Sequence, residues 1–153
     1  MSRLVYVNGE YLAEENAKIS VFDRGFLMAD GVYEVTSVLD GKLVDFEGHA
    51  KRLQRSLDEL DMASPVTMDE LLEIHRELVA KNALEEGAIY LQVTRGAPAD
   101  RDFAFPDPEE TPSSIVLFTQ VKNLSNAPAA GTGISVISIE DQRWARRDIK
   151  TVQ

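Results

Sequence analysis

The apolar residues of this chain change their spacing twice, and that change limits the folds open to it. Residues 4–7, 10–13, 32–39 and 42–45 read as strands, joined into hairpins by Asn8-Gly9 and Asp40-Gly41, turn pairs that tolerate positive φ. From Phe46 the apolar positions Ala50, Leu53, Leu57 and Leu60 recur at three and four residues, which predicts an amphipathic helix over 47–61. Ser64-Pro65 breaks it. Thr67, with Glu70 three residues on, forms a capping box that opens a second helix. Leu71, Leu72, His75, Leu78 and Val79 line one face of that helix. Strand-like runs then return at residues 89–94 and 114–121. Antiparallel strands on either side of two consecutive helices predict an α+β domain, with both helices on one face of the sheet.

The connecting segments divide the chain further. Residues 16–31 are rich in turn residues, including Asp23-Arg24-Gly25 and Ala29-Asp30-Gly31. Residues 96–112 form a long loop rich in Pro and Asp, and a structureless loop of that length is often functional. Residues 122–133 carry Asn, Ser, Pro, Ala and Gly and read as a linker. Residues 134–139 read as one more strand. A lone strand cannot bury both its faces, so the chain reads as the first half of a larger protein or half of an assembly.

Composition excludes several classes. With no cysteine there are no disulfides, thiolate metal sites or cysteine nucleophile. A net charge of −10 opposes binding to nucleic acid. No apolar run suits a membrane span, and the first residues lack the pattern of a signal peptide, so a cytoplasmic protein is expected. Positive charge concentrates at Lys51, Arg52 and Arg55, and again at Arg143, Arg146, Arg147 and Lys150. In an acidic chain such clusters hint at an anionic ligand, although solvated surface explains them as readily.

The catalytic inventory is thin. The two histidines, His49 and His75, fall on helices, where a packed or surface role is commoner than ligation. Phosphate-loop, dinucleotide, zinc-protease and serine-hydrolase signatures are absent. Local grounds single out Asp30-Gly31-Val32-Tyr33-Glu34-Val35, which feeds Tyr33 onto a strand, and Glu47-x-His49-x-x-Arg52, which puts His49 and Arg52 on one helical face. They also single out Thr94-Arg95-Gly96 with Arg101 in the long loop, and the basic stretch ending in Lys150. A lysine in a basic, partly apolar stretch suits a neutral, nucleophilic amine.

Taken together, the order of these strings resembles the class IV (fold-type IV) pyridoxal 5'-phosphate (PLP) aminotransferases, over essentially the whole chain. The strings are N-G-E-Y, D-R-G-F-x-x-A-D-G-V-Y-E-V, E-G-H-A-K-R-L, Q-V-T-R-G and R-W-x-R-x-D-I-K. Within the family, D-G-V-Y-E-V and R-W-x-R-x-D-I-K are most similar to D-amino-acid transaminases. The resemblance implies PLP as cofactor, amino acids and 2-oxo acids as substrates, a homodimer, and transfer of the amino group of D-alanine to 2-oxoglutarate. Branched-chain aminotransferase, aminodeoxychorismate lyase and a non-catalytic fragment are the alternatives. It also implies a small α+β domain at 1–121, an interdomain linker at 122–133 and the start of the large PLP-binding domain at 134–153.

Residue by residue, Lys150 matches the lysine that carries PLP as a Schiff base and moves the proton of the substrate α-carbon. Arg52 matches the arginine on the PLP phosphate. Tyr33 matches a tyrosine near the substrate carboxylate and the cofactor. Arg101 resembles the loop arginine that reaches across the dimer to the substrate carboxylate, and Phe103 stands where many members have a histidine. Arg95 is expected to be structural or to support a site residue from behind, and His49 to organise the phosphate side. The carboxylate that pairs with the pyridinium nitrogen is expected beyond residue 153.

Overall fold

The computed structural model describes residues 2–152. Its centre is a six-stranded sheet in the order β2-β1-β6-β5-β3-β4, antiparallel throughout. The strands are β1 (Leu4–Val7), β2 (Glu10–Ala13), β3 (Gly31–Leu39), β4 (Lys42–Leu43), β5 (Gly87–Thr94) and β6 (Ser114–Val121). The helices are α1 (Arg24–Met28), α2 (Phe46–Glu59), α3 (Met68–Lys81) and α4 (Pro128–Thr132). The mixed α+β class expected from the sequence is what the chain adopts.

The β1–β2 hairpin turns at Asn8 (φ 46°) and Gly9 (φ 100°), the left-handed pair that a two-residue loop requires. Asn8 does a second job, because its side-chain oxygen accepts from the Ile115 amide at 2.7 Å and so ties the turn to β6. β4 stops at Leu43, two residues short of the expected strand. The Val44 amide still donates to the Ser37 carbonyl at 2.9 Å, but Asp45 turns left-handed (φ 49°) and becomes the N-cap of α2.

Both α2 and α3 pack on one face of the sheet. Leu53, Leu57, Leu71, Ile74 and Leu78 meet Val38, Ile89, Leu91, Val93, Ile115 and Leu117 in one cluster of buried residues. Each such side chain contributes about 1.5–3 kcal/mol by leaving water. The capping box opens α3 as expected: Thr67 Oγ1 accepts from the Glu70 amide at 3.2 Å, and Glu70 Oε2 accepts from the Thr67 amide at 2.7 Å. His75 is packed into the core. It lies buried on α3, edge-on to Phe46 with ring centroids 5.0 Å apart, and its Nδ1 donates to the Leu71 carbonyl at 2.8 Å.

The other face of the sheet carries an aromatic row. Tyr33 stacks on Tyr90 at 5.8 Å, Tyr90 stacks on Phe118 at 5.0 Å, and the Arg3 guanidinium caps Phe118 at 5.6 Å.

Two segments depart from expectation. Residues 16–31, read as turns, contain the short helix α1, capped by Asp23, whose carboxylate accepts from the Gly25 amide at 2.8 Å. Residues 134–139, read as a strand, form none. Ile134, Val136, Ile137 and Ile139 are all exposed, and no strand pairs with them among the described residues. A β-strand exists only through its ladder, so an apolar run without a partner has no strand to join. The segment read as a linker holds α4, and residues 141–152 are likewise exposed. Among the described residues no helix is long and apolar enough to cross a membrane, and no group of acidic or histidine side chains could hold a metal ion.

Candidate active site

Two groups of polar residues stand out. The first is built by strand alternation. β3 turns Tyr33 to the open face and Glu34 toward the helices, where Glu34 is only 5% exposed. A carboxylate so placed must be paired. α2 supplies the partners one turn apart. Arg52 Nε and Nη2 donate to the two Glu34 oxygens at 2.6 and 2.7 Å, and His49 Nδ1 lies 2.9 Å from Glu34 Oε2. Burial alone would push the Glu34 carboxyl up, but the hydrogen bonds and charges of Arg52 and His49 outweigh it and hold it below the usual range. Arg52 remains 64% exposed on the side away from Glu34. The arrangement presents a fixed cation to solvent, as an anion-binding site requires.

The second group lies where the long loop meets α1. Arg101 stacks over Phe103 at 4.7 Å and makes no ion pair among the described residues. With Leu27, Met28, Phe103, Lys150, Thr151 and Val152 it lines an open cleft of about 640 Å³. Lys150 is exposed there, so the desolvation expected of its amine is not provided by the described residues. Two of the three other cations of its stretch are paired with carboxylates, and Arg147 donates to the Trp144 carbonyl at 3.4 Å. Arg143 binds Asp141 at 2.6 Å and Arg146 binds Asp148 at 3.1 Å.

Of the residues singled out by sequence, Arg101 and Lys150 share a cleft, while Arg52 and His49 meet on Glu34 beside Tyr33. Arg95 ties Asp30 to the end of α2. Its Nε donates to Asp30 at 3.0 and 3.2 Å, and its other nitrogens donate to the Leu60 and Asp61 carbonyls at the end of α2.

Sequence reasoning missed Glu34 and Arg24 as site-forming residues. Glu34 carried a readable signal, since it occupies an inward position of β3 in register with Thr36 and Val38, where a charge needs a partner. Arg24 carried none, because the carbonyls it binds in the long loop lie far along the chain. It is 3% exposed and binds Asp30 at 2.6 Å and the Asp102 carbonyl at 2.7 Å.

Residues 31–153 match the family model for amino-transferase class IV. D-alanine aminotransferase of Staphylococcus aureus is 39% identical over 97% of this chain and 51% of its own length. The D-alanine aminotransferase of Listeria monocytogenes serotype 1/2a is 36% identical over the same shares. The chain thus spans about half the length of the curated relatives it matches. Among solved structures, the branched-chain amino acid aminotransferase of Escherichia coli superposes with a TM-score of 0.71 at 19% identity, over 85% of this chain and 43% of that one, a likeness of fold alone. The 4-amino-4-deoxychorismate lyase of Pseudomonas aeruginosa superposes at 0.60 with 28% identity, over 78% of this chain and 40% of that one. With a family match over most of its length, the chain belongs to the class IV aminotransferases.

Proposed function

We propose that this chain provides the small domain and the lysine-bearing start of the large domain of a PLP-dependent transaminase. The proposed reaction transfers the amino group of a D-amino acid, with D-alanine as donor and 2-oxoglutarate as acceptor. The observation that carries the reading is the 39% identity to D-alanine aminotransferase over 97% of this chain, together with a cleft that places Arg101 beside Lys150. The division at residues 122–133, a cytoplasmic location and a homodimeric active form belong to the same proposal.

The donor chemistry suits PLP. Arg52, steadied by Glu34, offers a guanidinium to a phosphate dianion, and Lys150 offers an exposed primary amine to an aldehyde. PLP, when bound, supplies the electron sink. With the cofactor held there, Lys150 Nζ would carry the proton between the substrate α-carbon and the cofactor, so that the proton taken from one is delivered to the other within the same half-reaction. Arg101 and Tyr33 hold the substrate carboxylate. Because residue 103 is phenylalanine, Arg101 serves without a histidine from the same loop.

Incubating the purified protein with PLP, 2-oxoglutarate and either enantiomer of alanine tests the reading. D-alanine is expected to yield pyruvate. Turnover of the L-enantiomer alone would transfer support to the branched-chain alternative. A visible absorption band that forms with PLP is expected to vanish in Lys150→Ala.

A further inference from the structure

Arg24 has been given no role in the proposed reaction, yet it makes three hydrogen bonds to the loop of residues 96–112. Its guanidinium is buried and shares Asp30 with Arg95, at 2.6 and 3.0 Å respectively. This places two cations on one carboxylate. The surplus positive charge is met by main-chain oxygens. Arg24 Nη1 donates to the Asp102 carbonyl at 2.7 Å and to the Ala104 carbonyl at 3.1 Å. The backbone of Arg24 holds the stem of the same loop, since its amide donates to the Gly96 carbonyl at 2.9 Å. The Phe105 ring lies under both guanidinium groups, 5.7 Å from Arg24 and 4.2 Å from Arg95.

Asp102 directly follows Arg101. The same helix that begins at Arg24 supplies Leu27 and Met28 to the cleft that Arg101 and Lys150 line. α1 therefore forms a wall of the cleft and also holds the loop across from it.

We propose that Arg24 is a positioning residue: by gripping the carbonyls of Asp102 and Ala104 it holds Arg101 toward the Lys150 cleft, and so sets the affinity for the substrate carboxylate. The inference rests on the reading of Arg101 as the carboxylate-binding residue. A loop rich in Pro and Asp with no regular structure of its own cannot aim a long side chain unless something fixes its backbone. A buried, forked guanidinium does so at two points, which a lysine ammonium on a flexible stem cannot reproduce.

The test compares Arg24→Lys, Arg101→Ala and the double variant in the PLP-loaded protein. Steady-state kinetics are read beside hydrogen–deuterium exchange of residues 101–105. Arg24→Lys is expected to raise KM for D-alanine and 2-oxoglutarate roughly tenfold or more, as loss of charged hydrogen bonds does, with kcat nearly kept. Exchange should quicken in the loop while β3 and β5 stay protected. In the Arg101→Ala background the same change should add nothing to KM. Unchanged KM with an unchanged loop, or an additive effect in the double variant, overturns the proposal. If Arg101→Ala itself leaves KM unaltered, the carboxylate reading fails, and loop exchange in Arg24→Lys alone then decides whether Arg24 holds the loop. Should Arg24→Lys loosen the whole sheet, Phe105→Leu decides instead, because that ring is 72% exposed and outside the core. Faster loop exchange with raised KM supports the grip, and no change in either refutes it.

Discussion

Glu34 and His75 show how burial works on single residues in opposite ways. Glu34 is buried but remains charged, because Arg52 and His49 supply the hydrogen bonds that water would otherwise give. Its depressed folded pKa makes that pairing fully effective above the ordinary carboxylate value of 4.5, and the contribution is lost as pH falls through the folded value. Glu34→Gln keeps the shape and removes the charge. It is expected to lower stability by about 1–3 kcal/mol in urea unfolding, and PLP should leave the variant faster during dialysis. His75 is buried neutral. Burial pushes its pKa down from 6.5 to about 4, against the pull of the Leu71 carbonyl. The unfolded chain therefore takes up a proton that the folded chain refuses. Stability present above pH 6.5 is lost as pH falls toward 4, by roughly 3 kcal/mol across the window. Unfolding free energies measured between those pH values should fall in the wild type, and His75→Phe should flatten the curve. Sequence placed His49 and Arg52 on one helical face. It could not say that they converge on Glu34, because that depends on how α2 lies over β3.

At the scale of elements, the caps and turns were legible because they are governed by residues three or four apart. Thr67 and Glu70 close their box as the spacing requires, so Thr67→Ala should cost about 1 kcal/mol, read from the denaturant midpoint. A second element-scale constraint emerges only in the sheet. Gly87 opens β5 at φ 157°, and a Cβ there would collide with the Gln120 carbonyl of β6. Gly87→Ala is expected to destabilise by several kcal/mol and to expose the β5–β6 ladder to amide exchange; wild-type protection in the variant would count against the close approach. The elements that sequence misjudged are those whose existence depends on contacts elsewhere. α1 has five residues, too few to be stable alone, and it is held by Asp23 and by the loop that Arg24 binds. β4 ends early because Asp45 turns left-handed to start α2. The apolar run at 134–139 has the composition of a strand but no partner among the described residues.

Across the whole molecule, burial is uneven. The sheet and its two long helices share one buried cluster, while residues 134–152 are exposed almost throughout. Trypsin should cut first after Arg143, Arg146, Arg147 and Lys150, leaving a fragment that keeps the circular dichroism of the intact sheet. Early cleavage after Arg24 or Arg95 would contradict the burial of both side chains, which is 4% and 11% exposure. Composition, apolar period, turn pairs and caps were enough to determine the α+β class, the hairpins, both long helices and the strings that resemble the family. These are local properties, set by steric preference and by which face of an element is apolar. The tertiary structure alone decided which charges distant in sequence meet. Arg24 finds the Asp102 carbonyl 78 positions away, and Arg52 finds Glu34 18 positions away, only after β3 and β5 are in register and α2 is laid across them. Lys150 shares a cleft with Arg101 for the same reason: such contacts depend on how the elements pack, and no spacing along the chain encodes that.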